Sequence, residues 1–106
     1  MNYKDKLVCI DLDGTLCEGE CWTEDECLKA KPKEESIKKN NKIYVNGAHI
    51  IIYTARPEWF RNETEYWLRK HKVRYHALVM GNNKVGADVY IDDKAIRIDD
   101  AWHITT

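Results

Sequence analysis

The chain has 106 residues, of which 43% are hydrophobic and 33% charged, and its 17 basic and 18 acidic side chains leave a formal net charge of −1. That length suits one domain, residues 1–106, with a modest core, and the composition excludes disordered and fibrous classes. The balanced charge excludes a global attraction to nucleic acid or to an anionic membrane, no segment has the length of a membrane span, and Met1–Lys6 shows no signal-peptide pattern, so the expected compartment is the cytosol.

The first predicted element is the apolar run Leu7-Val8-Cys9-Ile10, a buried strand that runs into Asp11-Leu12-Asp13-Gly14-Thr15-Leu16. Residues two apart in an extended chain point the same way, so Asp11 and Asp13 can face one crevice before Gly14 turns the chain away. Carboxylates at the exit of a buried strand are costly to desolvate unless they are paired or bind a metal. An ordinary Asp-Gly turn remains an equally good reading of these residues alone. A calcium loop of the EF-hand type does not, because its last ligand would fall on Trp22, where a bidentate Glu is needed.

Residues 14–32 show no clean period and read as a loop or short hairpin. Cys17, Cys21 and Cys27 lie in this stretch, without a C-x-x-C pair or a nearby histidine, so structural thiols are favoured over a zinc site or a redox disulfide. The basic segment around Lys29, Lys31 and Lys33 is interrupted by Glu34 and Glu35 and reads as solvated surface. Residues 33–46 form a predicted helix stopped by Asn46-Gly47.

Ala48 to Tyr53 is a second apolar strand, followed by Pro57 and a helix over 58–72 that places Phe60, Thr64, Trp67, Leu68 and His71 on one face. Trp59 and Trp67 read as packing residues. Tyr75 to Met80 supplies a third strand and Asp88 to Ile91 a fourth, which ends in Asp92-Asp93, with a short edge strand at Ile96-Arg97-Ile98. Apolar strands alternating with helices predict a three-layer, Rossmann-like α/β fold, a parallel sheet with helices on both faces. In such sheets the site lies beyond the carboxyl ends of the strands, where Asp11, Asp13, Thr54, Arg56, Asp92 and Asp93 all fall.

These segments together resemble the haloacid dehalogenase-like (HAD) phosphohydrolase superfamily. Ile10-Asp11-Leu12-Asp13-Gly14-Thr15-Leu16 is similar to its first motif, D-x-D-x-T-L after a hydrophobic run, and Ile51-Ile52-Tyr53-Thr54 is similar to its second. Lys84 followed by Tyr90-Ile91-Asp92-Asp93 is similar to the third and fourth. Tyr53-Thr54-Ala55-Arg56-Pro57 and Tyr90-Ile91-Asp92-Asp93-Lys94-Ala95 resemble, more narrowly, small phosphatases of capsule and lipopolysaccharide biosynthesis, although Gly81-Asn82-Asn83-Lys84 departs from their Gly-Lys-Pro.

The resemblance implies a phosphatase acting through an aspartyl-phosphate on Asp11, with Asp13 as acid and base. It implies Mg²⁺ held by the Asp11 side chain, the Asp13 carbonyl, Asp92 and Asp93, a hard cation suited to oxygen ligands. Thr54, Lys84 and the backbone N–H groups after Asp11, beginning with Leu12, would donate to phosphate. Lys94 is a rival to Lys84, and Arg56 is read either as a substrate contact or as a surface salt bridge.

The chain has no room for the cap domain of many relatives. Residues 17–32 can form only a short flap, with Trp22 on it, so the open site would admit a large substrate or be covered by a second copy of the chain. The expected substrate is a sugar phosphate or cell-surface polysaccharide precursor. The alternatives are a nucleic-acid 3′-phosphate, which the near-neutral charge disfavours, a phosphoprotein, and a non-catalytic module that binds a phosphorylated ligand or a partner protein.

Overall fold

A computed structural model describes residues 3–81 and 86–92. Strand β1 (Leu7–Asp11) is followed by helices α1 (Glu24–Lys29) and α2 (Glu34–Val45), then strand β2 (His49–Thr54). A 3-10 turn, Glu58–Phe60, leads into α3 (Arg61–Lys70), and β3 (Ala77–Met80) and β4 (Val89–Ile91) complete the described elements. The sheet order is β3-β2-β1-β4 and every pairing is parallel, so the architecture is the expected Rossmann-like α/β fold. The predicted edge strand Ile96–Ile98 lies outside the described residues.

Register explains which face is buried. Val8 pairs with Ile50 and Ile10 with Ile52, and these four fully buried side chains share a core with Ile37 and Ile43 of α2 and Trp67 and Leu68 of α3. Cys27 of α1 packs with Met80, which belongs to the same side of the sheet because Thr54 pairs with Met80 two residues after Ile52 pairs with Leu78. The buried residues of all three helices therefore sit on one face. On the other face Cys9 is buried, whereas Ile51 and Tyr53 are half-buried and Tyr90 is exposed.

Several predicted bounds move by one to three residues, β3 beginning at Ala77 instead of Tyr75 and α3 at Arg61 instead of Glu58. Helix α3 stops at Lys70 instead of Lys72, because Lys72 takes a left-handed φ of 57° and its carbonyl accepts from Asn41 Nδ2 at 2.9 Å. The stretch read as loop contains α1, six residues long, with Thr23 as its N-cap accepting from the Glu26 N–H at 3.1 Å. The sequence signal for it is Thr23-Glu24-Asp25-Glu26, the T-x-x-E spacing of a capping box.

The flap is a closed excursion. Cys17 bridges to Pro32, Glu18 N–H donates to the Lys31 carbonyl at 2.8 Å, and Lys33 N–H donates to the Leu16 carbonyl at 2.9 Å. Residues 18–31 thus leave the body and return at one point. Trp67 Nε1 ties the returning strand down through the Ala30 carbonyl at 2.7 Å. Among the described residues, no helix is long and apolar enough to cross a membrane.

Candidate active site

The carboxyl ends of the central strands open into a cleft of about 670 Å³. Asp11 and Asp13 line it from the exit of β1, Tyr53, Ala55 and Arg56 from the exit of β2, and Asp92 from the exit of β4. Glu20, Cys21 and Trp22 reach it from the flap, and Pro57, Trp59 and Phe60 from the start of α3. Gly14 carries the chain away from the aspartates at φ 86°, a conformation that an L side chain resists. Its carbonyl is held by Lys33 Nζ at 2.9 Å, which gives one member of the basic segment a structural task.

Asp13 accepts hydrogen bonds on both of its carboxylate oxygens. Arg56 Nε donates to both of its carboxylate oxygens at 3.2 Å, Arg56 Nη2 donates to Oδ1 at 2.7 Å, and the Thr54 hydroxyl donates to Oδ2 at 2.8 Å. The guanidinium is only 4% exposed, and it also donates through Nη1 to the Thr64 hydroxyl at 3.0 Å and through Nη2 to Cys17 Sγ at 3.8 Å. Burial by itself would pull its pKa down, yet the hydrogen bonds and charge of Asp13 outweigh that and raise it. Arg56 therefore forms a buried ion pair with Asp13 in place of a surface salt bridge.

The other expected donors have definite places. Thr54 is fully buried, and its hydroxyl bridges Asp13 and the Arg56 N–H, which donates to it at 3.1 Å. The Leu12 N–H does not face the cleft but donates to the Tyr53 carbonyl at 3.1 Å, extending the β1–β2 ladder by one bond. Lys84, Asp93 and Lys94 lie outside the described residues.

The thiols are structural in their surroundings. Burial, and then the Asp13 charge, pushes Cys17 up to about 12, and burial, and then Asp11, pushes Cys9 up to about 11. Cys21 is also raised, by burial first and then by its hydrogen bond with Cys27. None of the three is poised as a thiolate nucleophile at neutral pH.

Among the described residues, no group of three His, Cys, Asp or Glu side chains converges as a metal site. The Asp13 carboxylate is turned to Arg56, while Asp11 at the end of β1 and Asp92 just after the neighbouring β4 line the same cleft. That oxygen-only pair fits a hard dication such as Mg²⁺ and would need main-chain oxygen, Asp93 or water to complete it.

The sequence reads Trp59 as a packing residue, and it does meet Phe60 edge-on at 6.2 Å between ring centroids, but it is 76% exposed on the cleft rim, and Trp22 is 75% exposed there too. The signal was present, since Trp59 falls off the stripe of Phe60, Thr64, Trp67 and Leu68. Trp67 is fully buried, as expected of a packing residue.

No family model and no curated protein matches the sequence. Several solved structures are similar to the chain. A crystal structure of an MCSG target from Vibrio cholerae is 26% identical with a TM-score of 0.65, over 91% of this chain and 87% of that one. A conserved protein from Bacteroides thetaiotaomicron is 15% identical with a TM-score of 0.73, over 95% and 89%. A chain of a Pnkp1/Rnl/Hen1 complex is 22% identical with a TM-score of 0.62, over 79% of this chain and 33% of that one. The chain shares its parallel α/β fold with these proteins.

Proposed function

We propose that the chain is an HAD-like, Mg²⁺-dependent phosphatase that hydrolyses a phosphate monoester on a sugar or a cell-surface polysaccharide precursor. The observation that supports this reading is that Asp11, Asp13 and Asp92, from the exits of two adjacent strands, line one cleft beside Thr54 and Arg56. In the proposed reaction an Asp11 oxygen attacks phosphorus, the bond to the leaving oxygen breaks, and the Asp13 carboxyl gives that oxygen its proton. Water then attacks phosphorus and passes a proton back to Asp13, and phosphate leaves Asp11.

Asp13 accepts hydrogen bonds on both oxygens from Arg56 and Thr54. In the proposed first step, one of those bonds gives way as the Asp13 carboxyl carries the proton. Bound at Asp11 and Asp92, Mg²⁺ would neutralise the phosphate charge that these acids would otherwise repel.

The test is direct. Purified protein with Mg²⁺ hydrolyses an aryl phosphate, chelation stops it, and Asp11→Asn lowers kcat by at least ~10³-fold while the circular dichroism spectrum stays unchanged. Full activity in that variant overturns Asp11 as nucleophile. A panel of sugar phosphates, 3′-phosphorylated oligonucleotides and phosphopeptides identifies the substrate class, and a wide preference for either of the last two overturns the sugar reading. Phosphate-ligand binding without any turnover would identify a non-catalytic module.

A further inference from the structure

We infer that Trp22 and Trp59 form an aromatic platform at the cleft rim that binds an uncharged, hydroxylated ring as the leaving group of the substrate. This rests on the phosphatase reading above for what happens at the cleft floor, but the platform itself is argued from the rim.

Both indoles are about three-quarters exposed, so neither owes its place to core packing. Scattered exposed aromatics need no explanation, but two on the rim of the cleft that holds Asp11 and Asp13 do. Their backbones are also anchored. The Trp22 N–H donates to Glu26 Oε1 at 3.0 Å, at the capped start of α1 on a flap pinned at both ends. Trp59 sits in the 3-10 turn whose next residue, Phe60, is 8% exposed, and whose Glu58 is gripped by Arg61 at 2.7 and 2.8 Å. Such rigid, flat surfaces lose little conformational freedom on binding.

Charge narrows the occupant. Among the described lining residues the single cation is Arg56, which is buried and engaged with Asp13, while Glu20 adds a carboxylate at the rim. A leaving group with a second anionic charge would meet carboxylate, with no rim cation among the described residues to balance it. A ring with an apolar carbon face suits the indoles, and its hydroxyls can donate to Glu20. A pyranose and a nucleoside both offer this chemistry.

The experiment compares a hexose 1-phosphate, a nucleoside 3′-monophosphate, the acyclic glycerol 3-phosphate and a hexose bisphosphate as substrates with Mg²⁺. The kcat/KM of at least one ring monoester is expected to exceed that of glycerol 3-phosphate and of the bisphosphate by tenfold or more, and the better ring arm identifies the source. Trp22→Ala and Trp59→Ala each reduce the ring-to-acyclic ratio at least fivefold, mainly through KM, and Trp→Phe at either position restores most of it.

A second readout needs no turnover. The hexose phosphate saturably quenches tryptophan fluorescence of the Asp11→Asn protein, and Phe at both positions 22 and 59 removes the quench. Hydrolysis with no ring preference, or a quench that survives the double substitution, overturns the platform and leaves the phosphatase reading standing. A quench that requires both indoles in a protein inactive on every phosphate supports ring binding at the platform and overturns the phosphatase reading.

Discussion

Arg56 and Asp13 are 43 residues apart in sequence and are brought together because β1 and β2 run parallel in register, Asp11 opposite Tyr53. With the arginine side chain 2% and the aspartate side chain 18% exposed, the pair is partly shielded from water, and two charges so placed are tolerable only with good geometry. The fork of Arg56 provides it, and Thr54 and Thr64 take up further hydrogen bonds. Arg56→Ala would strand the Asp13 charge and is expected to destabilise the fold by about 3–5 kcal/mol in urea denaturation. Arg56→Lys should lose less stability but keep a defect in kcat, because an ammonium cannot reproduce the bidentate contact. A change under 1 kcal/mol in the alanine variant would show that water already solvates the pair. Thr15 gives the opposite expectation. Its hydroxyl is fully buried and has no hydrogen-bond partner among the described residues, so Thr15→Val, nearly isosteric, should be neutral or stabilising by about 1 kcal/mol. A loss of that size would reveal a use for the hydroxyl.

At the scale of elements, α3 ends on a histidine whose titration couples to folding. Burial, and then the charge of Lys70, lowers the His71 pKa below 6.5, against a smaller upward pull from Glu34, and its ring lies 4.5 Å from that of Trp67. The unfolded chain then binds more protons than the folded one as pH falls through 6.5, so the stability contributed by His71 is complete above that pH and is lost progressively below it. The urea midpoint should fall between pH 7.5 and 5.5, and His71→Gln should flatten that fall; an unchanged slope would place the pH dependence elsewhere. The elements themselves were unequally legible. Buried parallel strands read as apolar runs because both faces and the ladder favour such residues, and α2 carried its stop signal in Gly47, which adopts φ 103°. Helix α1 was hidden because six residues are too few to display a period, leaving its cap as the sole sign. The strand ends at Asp11, Asp13 and Asp92 were legible as site residues because polar groups at the exits of apolar runs stand out. The Arg56–Asp13 pair was not, since local sequence contains nothing of which side chains a parallel register will juxtapose. Trp59 stands off the stripe that Phe60, Trp67 and Leu68 bury, which is why it is exposed beside a buried neighbour.

For the whole molecule, the proposed cation links active-site chemistry to global stability. Asp11 ends the central strand β1 and Asp92 follows β4, which pairs with β1 from Val8 to Ile10, so an ion held by both carboxylates would fasten the outer strand of the described sheet to its centre. Strand β4 contributes three residues, of which Ile91 is fully buried, and Asp88 before it donates its N–H to the Leu7 carbonyl at 2.8 Å and accepts on Oδ2 from the Leu7 N–H at 2.7 Å, so the ion would add to a short existing seam. A ligand that binds the folded chain and not the unfolded one stabilises by mass action, about 2.7 kcal/mol when it is present at a hundred times its Kd. Mg²⁺ should therefore raise the melting temperature, with the increment growing logarithmically in free Mg²⁺ and vanishing on chelation. Asp92→Asn should abolish most of that increment while leaving the melting temperature in chelator little changed, which separates loss of the ion from loss of packing. Hydrogen exchange gives the location: the amides of Val89 to Ile91 should gain more protection on adding Mg²⁺ than those of β3, on the far edge of the same sheet. Equal protection of both edges, or a melting temperature indifferent to Mg²⁺, would mean that the two carboxylates do not share an ion.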